Sequence, residues 1–129
     1  MKHLMSITVL ATAIVVVACD SFTSVCTDQR VPAISLAVVD SITGANRLSG
    51  ATVSARSGSF VDSQVFRDDT TLVRPGPPDA SLAWERRGIY VVSVSHAGYR
   101  DWTAPQVRVS GGACHPSTVH LLARLVLAQ

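Results

Sequence analysis

Short runs in which apolar residues alternate with polar or small ones are the feature of this sequence that most restricts its fold. Ile34, Leu36 and Val38, for example, are separated by Ser35 and Ala37. A period of two with β-branched residues indicates a strand with one buried face. The runs that predict strands cover residues 33–39, 51–56, 60–66, 89–96, 106–110 and 118–126.

Turn-forming residues separate these runs, and no segment after residue 30 keeps a helical apolar stripe over three turns. Gly44, Gly58 and Gly98 lie in three of the predicted turns. About seven short strands separated in this way predict an all-β fold, an antiparallel β-sandwich. Without the N-terminal segment about 110 residues remain, enough for one domain with a real core and too few for two.

The middle of the chain interrupts the strand pattern. Residues 67–80 are rich in Pro, Gly and Asp, which break strands and helices alike. A short strand is expected at 71–73, and residues 81–85 are expected to form either another strand or one helical turn. Pro105 and Pro116 are expected at strand starts, where a missing amide hydrogen is tolerated.

The N-terminal segment has the pattern of a secretory signal peptide. Lys2 and His3 precede an apolar run from Ile7 to Val17. The run is shorter than the about 20 apolar residues that a spanning helix needs, and a retained helix or ordinary secretion is the alternative. The end of the segment, Val16-Val17-Ala18-Cys19, resembles the lipobox of bacterial lipoproteins.

The resemblance to a lipobox implies that the chain is cut before Cys19, which then carries diacylglycerol and an acylated amino end. Residues 1–18 are then a lipoprotein signal peptide, 19–30 the lipidated cysteine with a polar tether, and 31–129 the folded domain. Two or three acyl chains, at about 0.8 kcal/mol per buried methylene, make a lasting membrane anchor. Asp20 resembles an inner-membrane retention signal of enterobacteria, a rule that does not hold in all bacteria. We expect an exported, lipid-anchored protein of the bacterial cell envelope that faces the periplasm.

The distribution of charge argues against nucleic-acid binding. The formal net charge is +2. Lys2 is the only lysine, so all the other positively charged side chains are arginines. The arginines are dispersed from Arg30 to Arg124, without the cluster that would follow a phosphate backbone. The lack of lysine after Lys2 also excludes a lysine nucleophile or Schiff base in the domain.

Two cysteines remain once Cys19 carries lipid. Cys26 precedes the first predicted strand and Cys114 precedes the last. Exported cysteine pairs usually oxidise, so we expect a disulfide that ties the two ends of the domain together. The alternatives are two free thiols or a metal pair with His115, which is one ligand short of a structural zinc site.

Four short motifs occur in an order that is typical of a known family. They are Val39-Asp40-Ser41-Ile42-Thr43-Gly44, Leu48-Ser49-Gly50-Ala51-Thr52-Val53, Gly88-Ile89-Tyr90-Val91-Val92-Ser93-Val94 and Ala97-Gly98-Tyr99. This order resembles the carboxypeptidase regulatory-like domain, a small transthyretin-like sandwich, over residues 32–125. The resemblance implies a Greek-key β-sandwich, and the segment 66–87 departs from the compact family pattern.

The physical roles of the motif residues are structural. Gly44 and Gly98 supply turn conformations that a side chain would penalise. Tyr90 is expected in the core with its hydroxyl on a backbone partner, and Tyr99 is expected to fold over the core edge. The family's modules are usually folding or interaction accessories, which implies the same role here.

No catalytic or metal-binding spacing stands out. His96, His115 and His120 lack the spacings of a metal site, so surface or strand-edge positions are expected. There is no Gly-x-Ser-x-Gly elbow around any serine, and Asp62, Asp68 and Asp69 lack the spacing of a calcium loop. We therefore expect no enzyme activity, no metal and no cofactor; an unrecognised hydrolase is the weakest alternative.

The aromatic residues Trp84, Tyr99 and Trp102 are the candidate ligand or partner surface. Exposed on one face, they would form a platform for a sugar or a protein. The alternative is that both tryptophans cover the ends of a small core. The first functional hypothesis is a non-enzymatic, lipid-anchored module that binds an envelope protein or stabilises an assembly. The second is a glycan- or peptide-binding module that uses these aromatics.

Overall fold

The computed structural model describes residues 25–68 and 78–129. These residues form seven strands and contain no α-helix. The strands are β1 (Ile34–Asp40), β2 (Ala51–Ser57), β3 (Phe60–Val65), β4 (Asp79–Leu82), β5 (Gly88–His96), β6 (Trp102–Val109) and β7 (Val119–Leu125). The predicted all-β class is confirmed. The predicted signal peptide, Cys19 and the strand expected at 71–73 lie outside the described residues.

The strands form a three-stranded sheet in the order β4-β1-β7 and a four-stranded sheet in the order β3-β2-β5-β6. Every pairing is antiparallel except one, because β1 and β7 run parallel from Ile34 beside Val119 to Asp40 beside Leu125. The expectation of a purely antiparallel sandwich is therefore wrong at this pair. Parallel neighbours need a long connection, and here the chain forms the whole four-stranded sheet between β1 and β7.

Side-chain alternation along the strands produces the core between the sheets. The faces predicted to be buried on β1, β2 and β5 are buried, and β7 contributes Ala123 and Leu125. Tyr90 is the largest fully buried side chain. The apolar residues of the core are Ala33, Ile34, Leu36, Val38, Leu48, Ala51, Val53, Ala55, Ala80, Leu82, Ala83, Tyr90, Val92, Val94, Val107, Val109, Ala123 and Leu125.

Strand β6 begins earlier than the sequence pattern predicts, and Pro105 lies inside it rather than at its start. Two features of the strand accommodate the proline. Strand β6 is an edge of its sheet, and a bulge interrupts its pairing with β5 at Pro105 and Gln106. Gln106 takes a positive φ of 56° there. A bulge at an edge leaves residues unpaired, so the missing amide hydrogen of Pro105 costs no ladder bond.

Strand β4 resolves the two alternatives for residues 81–85. The strand covers Asp79–Leu82, so it begins inside the Pro-rich segment and ends before residue 83. Two hydrogen bonds connect this region to β3 of the other sheet. Asp62 Oδ2 accepts a 2.8 Å bond from the Ala83 amide, and Gln64 Nε2 donates a 2.8 Å bond to the Ser81 carbonyl. These bonds join the two sheets along one side of the fold.

Candidate functional site

The predicted aromatic residues lie at opposite ends of the fold. The disulfide end consists of residues 26–32, 82–88 and 109–118; the Asp40 end consists of 40–50, 96–102 and 125–128. Trp84 belongs to the disulfide end, whereas Trp102 pairs with Val94 near the far end of β5. At about 3.3 Å per residue, the strand separates the two ends by roughly 25 Å. The three aromatics therefore do not share one platform.

Cys26 and Cys114 form a disulfide that gives the disulfide end its name. The two residues are 88 positions apart, and their Cα atoms are separated by 5.3 Å. The predicted bridge is confirmed, and the alternatives of two free thiols or a metal pair with His115 are excluded. A structural disulfide indicates an oxidising, exported environment.

Glu85 organises the polar contacts of the disulfide end. Its Oε2 lies 2.8 Å from Nδ1 of His115, and its Oε1 accepts a hydrogen bond from the Val31 amide. The Glu85 amide in turn donates a 3.0 Å bond to the Val31 carbonyl. The His115 hydrogen bond, the Val31 amide and the charge of Arg30 hold the pKa of the Glu85 carboxyl below its usual range, against the effect of burial.

His115 connects Glu85 to the N-terminal segment. With Nδ1 facing the Glu85 carboxylate, the hydrogen of a neutral imidazole belongs on Nδ1 and leaves Nε2 as an acceptor. The Thr27 hydroxyl lies 3.2 Å from that Nε2 atom. The segment after Cys26 is thus joined to the domain by a covalent bond and by this polar chain. Sequence reasoning missed this cluster, because its members are far apart in the chain.

Trp84 lies at the tip of the loop between β4 and β5 and is 36 % exposed. Both of its neighbours are left-handed, with φ of 53° at Ala83 and 58° at Glu85. Hydrogen bonds hold this strained backbone, from the Ala83 amide to Asp62 and from the Glu85 amide to Val31. Such conformations persist only where the surroundings over-determine them, and they concentrate at functional sites.

Three arginines surround the Trp84 loop. The guanidinium carbon of Arg30 lies 5.6 Å from the centroid of the Trp84 ring, within cation–π range. Arg86 stacks over Phe60 with its guanidinium carbon 4.1 Å from the ring centroid. Arg87 donates a hydrogen bond to the carbonyl of Gly112. All three arginines are exposed beside the accessible indole, in a region that also contains Asp28 and Glu85.

The Asp40 end contains a second hydrogen-bond network. Asp40 is buried, and its Oδ1 accepts bonds of 2.9 and 2.8 Å from the amides of Ile42 and Thr43. Its Oδ2 accepts a 2.7 Å bond from the Tyr99 hydroxyl, which itself accepts a 2.9 Å bond from Arg47 Nε. The amide of Thr43, the Tyr99 hydroxyl and the amide of Ile42 hold the pKa of Asp40 far below its usual range, against burial. Sequence reasoning did not identify Arg47.

Tyr99 and Trp102 are partly buried and pack against the core. His96 packs edge-on against Tyr99 with 5.1 Å between ring centroids, and its Nε2 lies 3.0 Å from the Ser49 carbonyl oxygen. The packing of Trp102 against the core favours the interpretation in which this tryptophan covers one end of the core. Of the three candidate aromatics, only Trp84 is exposed.

The histidines are dispersed rather than convergent. His96 lies at the Asp40 end, His115 lies at the disulfide end, and His120 is exposed on β7. Within residues 25–68 and 78–129, no group of three or more His, Cys, Asp or Glu side chains is placed to hold a metal ion.

The outer face of β2, β3, β5 and β6, here called the β5 face, is an open surface of hydroxyls and branched aliphatics. Ser54 and Ser93 lie opposite each other at its centre with their hydroxyl oxygens 2.7 Å apart. Around them, exposed aliphatic side chains alternate with polar ones, and Arg56 and Arg108 are its charged residues. The exposed aliphatics are Val61, Val65, Ile89 and Val91.

No protein-family model matches the chain, and no curated protein matches it. Among the described residues, no helix has the length and apolar character needed to cross a bilayer. Function is therefore inferred from the contacts, exposure and charge of the side chains.

Proposed function

We propose that this chain is a bacterial lipoprotein whose domain, residues 31–129, is a non-enzymatic accessory module that binds a protein of the cell envelope. The observation that carries the proposal is the disulfide between Cys26 and Cys114. It indicates an oxidising compartment, which agrees with the lipobox that ends at Cys19. It also makes Cys26, seven positions after the lipidated cysteine, the point where the tether joins the domain.

The fold supports a carboxypeptidase regulatory-like module with Greek-key connections. Strands β2, β3 and β4 follow one another around the sandwich, since side chains of β3 bond to residues 81 and 83 across the sheet edge. Strand β5 then returns to pair with β2, and this return is the connection that supports a Greek-key arrangement. The motif residues agree, because Gly44 has a φ of 70° and the Tyr90 hydroxyl donates a 3.0 Å bond to the Arg86 carbonyl.

The ionisable side chains support a structural role over a catalytic one. Asp40, Asp62 and Glu85 each accept a hydrogen bond from at least one backbone amide. Among the described residues, every buried side-chain nitrogen or oxygen has a hydrogen-bond partner. Carboxylates held by backbone amides in this way stabilise a fold, whereas a catalytic carboxylate needs a free position that faces a substrate.

The β5 face is the surface that we propose for partner contact. Branched aliphatic side chains at Val61, Val91 and Ile89 stand among hydroxyls there, without an exposed carboxylate on β2, β5 or β6. Protein interfaces are depleted in charge at their centre, which fits this composition. The glycan-platform hypothesis is less well supported, because Trp84 lies far from Tyr99 and Trp102.

The first test is the intact mass of the protein purified from its own membranes. We expect the mass of residues 19–129 plus acyl chains, less the two hydrogens lost in the disulfide. A mass without acyl chains would overturn the proposed anchor.

The second test maps the partner surface with a photo-crosslinking amino acid. Val91 on the β5 face and Leu122 on the other sheet form a matched pair, since they are 45 % and 46 % exposed. We expect one discrete adduct with an envelope protein from position 91 and none from position 122. Equal adducts from both positions, or an adduct from position 122 alone, would overturn the assignment of the β5 face.

A further inference from the structure

We propose that the disulfide end is a membrane-facing surface, on which Trp84 and the arginines Arg30, Arg86 and Arg87 contact the headgroups of an anionic phospholipid bilayer. The inference rests on lipid attachment at Cys19, as proposed above. It adds an orientation: the disulfide end faces the lipid, and the Asp40 end points away from it.

Charge is the first argument. Arg30, Arg86 and Arg87 are exposed, and among the described residues no arginine nitrogen lies within ion-pair distance of a carboxylate oxygen. The three guanidinium groups therefore form no direct ion pair within the described residues, and the charge of Arg30 acts on the Glu85 carboxyl from a greater distance. Three carboxylates belong to or contact the disulfide end: Asp28; Glu85, which is held by His115 and the Val31 amide; and Asp62, whose Oδ2 accepts the Ala83 amide. Unpaired arginines next to a bilayer are attracted to anionic headgroups.

The position of Trp84 is the second argument. Trp84 lies at the tip of the loop between two left-handed residues, and its side chain is 36 % exposed. Indole combines an apolar ring with one N–H donor, and tryptophan is enriched where membrane meets water. The Arg30 guanidinium lies over this ring, so positive charge and apolar surface occupy the same spot.

The short tether is the third argument. Seven residue steps from Cys19 to Cys26 span at most about 25 Å when fully extended. Cys26 is fixed to Cys114, so the reach of the tether is counted from the disulfide end itself. A short tether also keeps this end at a high effective concentration near the lipid. Contacts that are too weak to bind a free protein to the bilayer are then sufficient to orient the tethered domain.

The two tryptophans provide the experiment, because one lies at each end of the domain. The full lipidated chain is reconstituted into vesicles of phosphatidylcholine and phosphatidylglycerol that carry brominated acyl chains. The variant Trp102→Phe retains Trp84 as the fluorophore, and Trp84→Phe retains Trp102 as the matched control. We expect strong quenching and a blue shift of the Trp84 emission and little change of the Trp102 emission. Equal quenching of both, or of neither, in protein that floats with the vesicles would overturn the orientation.

Flotation separates this inference from the proposed function on which it rests. Protein that fails to float with vesicles contradicts the lipid anchor itself, whereas floating protein with an unquenched Trp84 contradicts the orientation alone. Intact mass of the same sample identifies whether the acyl chains are present.

The arginines are tested in the Trp102→Phe background. We expect the triple change of Arg30, Arg86 and Arg87 to Gln to reduce the quenching of Trp84, and high salt to do the same, because salt screens surface charge. Arg100→Gln with Arg124→Gln, at the other end, is the control and should leave quenching unchanged. Near-ultraviolet circular dichroism verifies folding of the triple variant. Undiminished quenching in the folded triple variant would overturn the role of the arginines.

Discussion

The Tyr99 hydroxyl donates a 2.7 Å hydrogen bond to Oδ2 of Asp40, 59 positions earlier in the chain. Asp40 ends β1 in the three-stranded sheet, and Tyr99 follows β5 in the four-stranded sheet. The bond therefore joins the two sheets at one end of the sandwich, as the disulfide joins the chain's distant segments at the other. Each end thus has its own long-range connection.

Tyr99→Phe is expected to lower the free energy of unfolding by about 1.5 to 3 kcal/mol, because the bond that it removes has a charged acceptor. Tyr90→Phe is the matched control, since the Tyr90 hydroxyl donates to a neutral carbonyl of Arg86. That change is expected to cost about 0.5 to 1.5 kcal/mol. Urea denaturation measures both. A smaller loss for Tyr99→Phe than for Tyr90→Phe would contradict the larger contribution expected of the bond to Asp40.

The stability contributed by Asp40 is expected to depend on pH. Its hydrogen bonds hold the pKa of the folded carboxyl below the unfolded value of 3.8. The contribution is therefore complete above that value and is lost as the pH falls through the folded pKa. The difference in unfolding free energy between the wild type and Asp40→Asn, measured from about pH 6 to about pH 2, should be constant above the unfolded value and shrink steadily below it. A constant difference across this range would contradict the prediction.

Removal of the disulfide is expected to destabilise the domain strongly. The bridge closes a loop of 88 residues, and chain entropy assigns about 4 to 5 kcal/mol to a loop of that size. Cys26→Ser with Cys114→Ser should lower the melting temperature, and wild type treated with a reductant should melt like the double variant. Unchanged melting of the double variant would contradict a stabilising role.

Glu85→Gln is expected to loosen the segment that precedes β1. The carboxylate accepts the Val31 amide and contacts His115, and both contacts weaken when its charge is removed. Hydrogen–deuterium exchange should show faster exchange at the Val31 amide. Asp28→Asn, which removes an exposed carboxylate at the same end, is the control and should leave this rate unchanged. Because the pKa of Glu85 is lowered, its contacts persist below the usual carboxyl range and are lost only in stronger acid.

What could be predicted from the sequence depends on whether the residues involved lie close together in the chain. Alternation reports which face of a strand is buried, so the burial of Val53 and Val92 was predictable. Alternation does not indicate which strand pairs with which, so the parallel pairing of β1 with β7 could not be predicted. The separation of Trp84 from Trp102 depends on strand direction in the folded sheet. Likewise, the contact of Thr27 with His115 spans 88 positions and leaves no local signal.

Two alanine-to-glycine substitutions are expected to distinguish backbone strain from side-chain packing next to Trp84. Ala83 is buried and left-handed, and a left-handed conformation costs a non-glycine residue about 1 to 2 kcal/mol. Ala83→Gly relieves that strain while losing one buried methyl group. Ala80→Gly, at a position equally buried in β4, loses a methyl group without relieving any strain.

We therefore expect Ala83→Gly to lower the unfolding free energy by about 1 to 2 kcal/mol less than Ala80→Gly does, as measured by urea denaturation. Both variants gain the same chain entropy in the unfolded state, so the comparison isolates the left-handed backbone. Equal losses would mean that the hydrogen bonds to Asp62 and Val31 hold a conformation that is not strained. Greater stability of Ala83→Gly, together with altered Trp84 emission, would show that this strain is what holds the indole at the loop tip.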